Sequence, residues 1–91
     1  MKVTKATFDD IAMGGLLGYV RTDYKTLVKK LGKPHYTNGD KVTAEWDIII
    51  DGVVATIYDW KEPKTPKGSY NWHIGGHDKK AVALVQRYLN S

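Results

Sequence analysis

The stretch that decides the fold is KVTAEWDIIIDGVVATIYDWK, residues 41–61. Two runs rich in β-branched and aromatic residues flank the dipeptide Asp51-Gly52. Such a dipeptide favours the two-residue turn of a β-hairpin, because both central positions of that turn need positive φ. The turn fixes the register of one mostly apolar face, which is predicted to cover the core: Ile50 pairs with Val53, Ile48 with Ala55, Trp46 with Ile57, Ala44 with Asp59 and Val42 with Lys61.

The opposite face of this hairpin mixes polar and aromatic side chains. It carries Glu45 beside Tyr58, and Trp60 follows two residues after Tyr58. The segment YNWHI, residues 70–74, alternates as a third strand. If the three strands form a meander, His73 and Asn71 join Tyr58 and Trp60 on this second face.

Two amphipathic helices are predicted on either side of these strands in the chain. Residues 22–31 form the first helix, with Thr22 as its N-cap and Lys29-Lys30 in its last turn. Residues 78–90 form the second helix, with Asp78 as its N-cap and a broad apolar stripe. Both helices are expected to pack on the apolar face of the sheet.

The glycine-rich segment DDIAMGGLLGYV, residues 9–20, is predicted to be a loop or a broken turn. The residues before it alternate well enough to form a short strand. The chain is therefore predicted to be a single α+β domain over residues 1–91. Its antiparallel sheet has three to four strands with two helices packed on one face, in the order (β)αβββα.

Composition limits the classes of function. The 91 residues include no cysteine, and their formal net charge is +4, which favours anionic ligands without being high enough to demand nucleic acid. No apolar run is long enough to span a membrane, and the N-terminus lacks the apolar core of a signal peptide. A cytoplasmic protein without a membrane partner is expected.

Catalytic and metal-binding motifs are not found in the sequence. Glu45 with His73 is the one acid–base pair that the register suggests. The three histidines, His35, His73 and His77, lack the spacing that places two metal ligands on one face of an element. We therefore expect a protein that is not an enzyme and has no catalytic residues, no cofactor and no bound metal.

The segment WHIGGHDKK, residues 72–80, joins the third strand to the last helix and has two interpretations. Glycines leading into a helix N-terminus can form an anion site, which Lys79 and Lys80 would reinforce. Alternatively, the glycines only allow the chain to turn, and Asp78 caps the helix itself. With the aromatic side chains of the second face, the first interpretation predicts a ligand site formed by Tyr58, Trp60, Lys61, His73, Gly75, Gly76, His77 and Lys79.

Three motifs together resemble a family of small proteins encoded by bacteriophages and other DNA viruses, for which no activity is established. The motifs are GLLGYV with YKTLVKKLGKP, the hairpin DGVVATIYDWK, and WHIGG with AVALVQ, and they extend from about Gly14 to Leu89. The chain departs from the family at MGGLLGYV, where relatives carry a polar residue before the Gly-Tyr. The resemblance implies a viral accessory role in the host cytosol.

Two functions from different classes are consistent with these features. The first is anti-defence sequestration of an anionic, nucleotide-like signalling molecule of the host, with the base stacked on the aromatic face. The second is inhibition of a host protein through an exposed aromatic patch or a free sheet edge. Nucleic acid is a less favoured partner, because Glu45, Asp47 and Asp59 would repel phosphates. A homodimer is also compatible with the sequence, since Ile49 and Val54 lie outside the core.

Overall fold

The computed structural model describes residues 1–91. The elements in chain order are β1 Val3–Lys5, α1 Phe8–Ile11, β2 Gly15–Thr22, α2 Tyr24–Leu31, β3 Tyr36–Thr37, β4 Ala44–Ile50, β5 Val53–Tyr58, β6 Tyr70–Gly76 and α3 Lys80–Leu89. The strands form one antiparallel sheet in the order β1-β4-β5-β6-β2, and β3 pairs with the start of β4. The α+β class is confirmed, but the sheet has six strands instead of three to four.

The β4–β5 hairpin has the predicted register. Its ladder runs without interruption from the turn to Glu45 opposite Tyr58. The turn residues Asp51 and Gly52 have φ values of 49° and 81°, as a two-residue hairpin turn requires. The Asp-Gly dipeptide therefore sets which side chains face the core and which face the other side.

The predicted strand pairing does not continue beyond this ladder, because the side chain of the buried Asp59 binds the backbone N–H groups at the start of β4. Its Oδ1 accepts hydrogen bonds from the backbone N–H groups of Thr43 and Ala44 at 2.8 and 3.2 Å. Asp59 is fully buried and is the one charged residue in the core. The pair of Ala44 with Asp59 is therefore replaced by contacts between a side chain and the backbone, and instead of pairing with Val42, Lys61 donates its backbone N–H to the carbonyl oxygen of Lys41 at 2.7 Å.

The prediction of a loop over the glycine-rich segment is wrong, since residues 9–11 belong to helix α1 and residues 15–20 to the edge strand β2. A register shift between Leu16 and Gly18 marks a β-bulge opposite β6. A Cβ added to Gly18 would lie 2.9 Å from Val82 Cγ2 of α3, so this glycine allows the helix to approach the strand. Its role depends on a contact with a residue distant in sequence, which local sequence patterns do not reveal.

Both long helices begin with an aspartate that binds a first-turn N–H group. The predicted N-cap Thr22 is the last residue of β2, and Asp23 is the actual cap, accepting from Thr26 N at 2.8 Å. Asp78 accepts from Lys80 N at 2.9 Å, so its side chain caps α3 as predicted, although the assigned N-cap position is one residue later. Capping of this kind fixes where the helices begin.

The core lies between the sheet and helices α2 and α3, which pack on the same face as predicted. Trp46 and Trp72 are fully buried there, with ring centroids 5.6 Å apart in an edge-to-face arrangement. The short helix α1 lies on the other face of the sheet, which we call the open face, and contacts β5. None of the helices has the length and apolar character that crossing a membrane requires.

Candidate ligand-binding site

One row of side chains crosses the open face through five neighbouring strands, from β3 to β2. The paired residues along it are Tyr36, Glu45, Tyr58, His73 and Tyr19. Four of the five side chains are aromatic, and all five carry groups that form hydrogen bonds. We call this arrangement the open-face row.

An aromatic groove lies at the β2 end of this row. The ring centroids of Tyr19 and His73 are 4.9 Å apart, those of Tyr58 and His73 5.2 Å, and those of Tyr58 and Trp60 6.4 Å. Together with Leu16, these side chains line a groove of about 400 Å³. Trp60 is 40% exposed, whereas the other two tryptophans are fully buried in the core. The groove thus presents ring surfaces to solvent.

A smaller cavity continues from the groove toward the middle of the sheet. This inner cavity has a volume of about 240 Å³ and shares Tyr58 and Trp60 with the groove. Gly75 leaves space at the base of this cavity because it has no side chain. A Cβ added to Gly75 would lie 2.6 Å from Thr56 Oγ1. The inner cavity is lined by Ile11, Gly14, Gly15, Val42, Glu45, Thr56, Tyr58, Trp60, Gly75 and Gly76.

Glu45 is the carboxyl group of the inner cavity, and its surroundings favour the protonated form. Burial, followed by hydrogen bonding and charge repulsion from Asp47, raises the pKa of Glu45 from 4.5 to about 8. Burial also raises the pKa of the Tyr58 hydroxyl. At neutral pH the inner cavity therefore presents neutral hydrogen-bonding groups.

His73 contributes a neutral ring to the groove. Burial lowers the pKa of His73, although the nearby charges of Asp59 and Glu62 act in the opposite direction. A neutral imidazole can stack on or hydrogen-bond to a ligand, but it does not neutralise an anion. The predicted acid–base pair of Glu45 with His73 does not form, because Tyr58 occupies the strand between them.

Positive charge reaches the groove through two lysines. The ammonium groups of Lys41 and Lys61 lie 5.8 and 5.9 Å from the centroid of the Trp60 ring, within the range of a cation–π contact. Lys61 was predicted from the sequence as a site residue. Both lysines are exposed at the rim of the groove and are available to an anionic group of a ligand.

The junction before α3 does not provide the predicted anion cradle. Gly75 and Gly76 are the last two residues of β6 and are paired on both sides, with β2 and with β5. Asp78 already accepts hydrogen bonds from Lys80 N through its side chain and from Ala81 N through its carbonyl oxygen, both at 2.9 Å. The alternative interpretation, in which Asp78 caps the helix, is therefore the one observed.

The structure brings six of the eight predicted residues to the open face. Five of them, Tyr58, Trp60, His73, Gly75 and Gly76, line the groove or the inner cavity, and Lys61 contacts Trp60. His77 instead contacts the carbonyl oxygen of Asp10 at 2.8 Å, and Lys79 is exposed at the start of α3.

Sequence reasoning missed Leu16 and Tyr19 of β2, and also Lys41. The alternation around Tyr19 was a usable signal for the strand, but the glycines beside it obscured that signal. Lys41 lies in the loop between β3 and β4, where no periodic pattern indicates its direction.

The structure contains no group of three or more histidine, cysteine, aspartate or glutamate side chains that could hold a metal ion. In comparisons with known proteins, no family model, no curated protein and no solved structure matches the chain. The chain is a small α+β protein with a solvent-exposed aromatic groove on one face of its sheet.

Proposed function

We propose that the protein is a non-enzymatic binding protein that takes up an anionic, nucleotide-like ligand on its open face. The observation that supports this best is the aromatic groove with Trp60 at its rim, flanked by the ammonium groups of Lys41 and Lys61. A flat ring and an anionic group are the two features that such a surface recognises together.

In the proposed complex, the base of the ligand stacks in the groove against Trp60 or Tyr58. Stacking of a base on an aromatic side chain contributes about 1–3 kcal/mol. The phosphate lies at the rim, where Lys41 and Lys61 neutralise it. The ring edge of the ligand extends into the inner cavity toward Glu45.

We propose binding without catalysis because Glu45 and His73 are not arranged to act together as an acid and a base. Glu45 and His73 lie on strands that are separated by β5, and the Tyr58 ring stands between them. General acid–base catalysis needs the two groups within hydrogen-bond reach of the same substrate atoms.

The resemblance to small virus-encoded proteins supports an anti-defence role in the host cytosol. A protein that binds a host signalling nucleotide lowers its free concentration in proportion to the amount of protein present. That role needs affinity and abundance but no turnover, which agrees with the open site.

Tryptophan fluorescence provides a direct test, because Trp60 is the one exposed tryptophan. Titration with mononucleotides is expected to quench the Trp60 emission, and Trp60→Phe is expected to remove the quenching while Trp46 and Trp72 still report a folded core. Native mass spectrometry of protein purified from cells, before and after denaturation, identifies any ligand that co-purifies. A folded, monodisperse protein that shows no quenching and no calorimetric heat with any nucleotide would contradict the proposal.

A second candidate function, inhibition of a protein partner, is favoured by the distribution of exposed apolar side chains. Apart from Met1, the large hydrophobic side chains that are exposed belong to α1, to the turn after it, or to the open face: Phe8, Met13, Leu16, Tyr19, Tyr36 and Trp60. Aromatic side chains are frequent anchors of protein interfaces. A stoichiometric complex with a purified host protein, lost in Phe8→Ser and Met13→Ser, would support this candidate.

Light scattering during gel filtration measures whether the same patch instead joins two copies of the chain. Binding of single-stranded oligonucleotides with an affinity that falls steeply with salt would indicate the nucleic-acid alternative.

A further inference from the structure

Glu45 occupies the boundary between two cavities of the open face. On one side it lines the inner cavity, which shares Tyr58 and Trp60 with the aromatic groove. On the other side it lines a cavity of about 440 Å³ together with Asp47, which lies two residues away on the same face of β4. A ligand in the inner cavity would therefore contact Glu45, whereas Asp47 lines only the second of these two cavities.

Asp47 has a buried oxygen that needs a hydrogen. Its Oδ1 is inaccessible to solvent and has no hydrogen-bond partner among the ordinary donors of the protein. A buried acceptor without a donor is costly, and such groups are rare in folded proteins. A protonated Glu45 would supply the missing donor. The two carboxyl groups lie within hydrogen-bonding reach, and hydrogen bonding with Asp47 is one of the causes that raise the pKa of Glu45.

The other groups near the two carboxyl groups do not supply this donor. Thr56 lies opposite Asp47 on β5, and His35 Nδ1 accepts from Asp47 N at 3.0 Å, but Asp47 Oδ1 bonds to neither. Tyr58 on β5 and Tyr36 on β3 are the neighbours of Glu45 across the two adjacent strands. Asp40 and Lys41 line the same outer cavity from the loop before β4. Lys41, the one cation among these groups, has its ammonium group near the Trp60 ring.

We propose that Glu45 determines the specificity of the site: its protonated oxygen donates a hydrogen bond to Asp47 and its other oxygen faces the inner cavity, so that the preferred ligand is a nitrogen heterocycle bearing an exocyclic amino group. The proposal rests on the proposed function, because it names the class of base that the aromatic groove receives. The selection follows from hydrogen-bond direction: the Glu45 oxygen that faces the cavity can only accept a hydrogen bond, so it favours a base whose ring edge donates one through an N–H group.

The geometry of the row supports this assignment. Glu45 and Tyr58 are directly opposite each other on neighbouring strands, where Cβ atoms are about 4.5–5.5 Å apart. A base stacked beside Tyr58 therefore presents its edge to the Glu45 carboxyl group. The raised pKa of Glu45, about 8, is consistent with a proton held between the two carboxyl groups at neutral pH.

The test compares nucleotides that differ by one amino group. The three pairs are AMP with purine riboside 5′-monophosphate, GMP with IMP, and CMP with pyrimidin-2-one riboside 5′-monophosphate. Calorimetry at pH 7 is expected to show, in at least one pair, about 10-fold tighter binding of the amino-bearing member, as one hydrogen bond to a buried group allows. Equal affinities within every pair that binds would overturn the inference and leave the proposed function intact, whereas no binding by any of the six would refute the proposed function itself.

Two substitutions at Glu45 separate hydrogen bonding from shape. Glu45→Met keeps the length of the side chain but removes the acceptor, so the preference for the amino-bearing member is expected to disappear. Glu45→Gln is expected to restore it, because the amide can donate to Asp47 and still present its carbonyl oxygen to the cavity. Glu62→Met, at the chain's one other glutamate, is the matched control and keeps the preference. A preference that persists in Glu45→Met would show that another group reads the ring edge.

Discussion

The raised pKa of Glu45 makes the stability of the folded protein depend on pH in a defined direction. In the unfolded chain Glu45 loses its proton near its ordinary pKa of 4.5, whereas the folded protein holds it up to about pH 8. Between these values the folded state binds one proton more than the unfolded state, so the free energy of unfolding falls as pH rises. The pKa difference sets an upper limit of about 5 kcal/mol. Because Glu45 is partly solvated, which screens its interactions, we expect about 1–2 kcal/mol.

The measurement is urea unfolding of wild type and Glu45→Gln at intervals from pH 5 to pH 8, followed by tryptophan fluorescence. Glu45→Gln removes the titration, so the stability of wild type relative to this variant is expected to decrease steadily over the range. The lowered pKa of His73 acts on both proteins equally and cancels in the difference. Glu62→Gln, the matched control, keeps the Glu45 titration, and because the Glu62 charge raises the pKa of His73, its slope is expected to differ from that of wild type only by the His73 contribution. A difference between wild type and Glu45→Gln that stays constant within about 0.5 kcal/mol would refute the reasoning.

Three further substitutions test the floor of the inner cavity, the buried aspartate and the rim of the groove. Gly75→Ala places a Cβ 2.6 Å from Thr56 Oγ1 and is expected to lower the free energy of unfolding, measured in urea, by about 1–3 kcal/mol. Adding Thr56→Ala to this variant should recover part of the lost stability. No recovery would mean that the strain lies elsewhere. Asp59→Ala removes the acceptor of two backbone N–H groups and is expected to cost about 2–4 kcal/mol, and a loss under 1 kcal/mol would contradict the role assigned to Asp59. Trp60→Ala is expected to change stability by less than about 0.5 kcal/mol while weakening nucleotide binding by about 10-fold or more. Unchanged affinity in calorimetry would exclude Trp60 as a stacking surface.

The parts of the fold that were predictable are those determined by neighbours in sequence. Asp51-Gly52 fixes the turn and therefore the register of β4 and β5, and the apolar periodicity fixes both long helices. Strand β2 was missed because its glycines are explained by contacts with distant residues, as Gly18 is by Val82 of α3. The bulge beside Gly18 also interrupts the alternation that would have identified the strand.

The candidate site was predictable to the same extent and for the same reason. Tyr58, Trp60 and His73 follow from alternation on strands that were recognised, and the structure brings them together. Tyr19 completes the groove only because β2 pairs with β6, which no local pattern indicates. The raised pKa of Glu45 depends on burial and on Asp47, so it follows from the assembled face and not from the sequence spacing alone.

The pairing of β2 with β6 has a consequence for the order in which the protein folds. The β4–β5 hairpin closes through a two-residue turn, whereas β2 and β6 are separated by the whole middle of the chain. Closing the longer loop costs more entropy, so we expect the hairpin to form early and β2 to join late. Pulsed hydrogen exchange during refolding would test this, and simultaneous protection of β2 and β5 amides would argue against it. During synthesis, β2 leaves the ribosome first among these strands but has no partner until β6 follows. The groove would then be the last part of the molecule to be completed, and a chain interrupted before β6 would lack it.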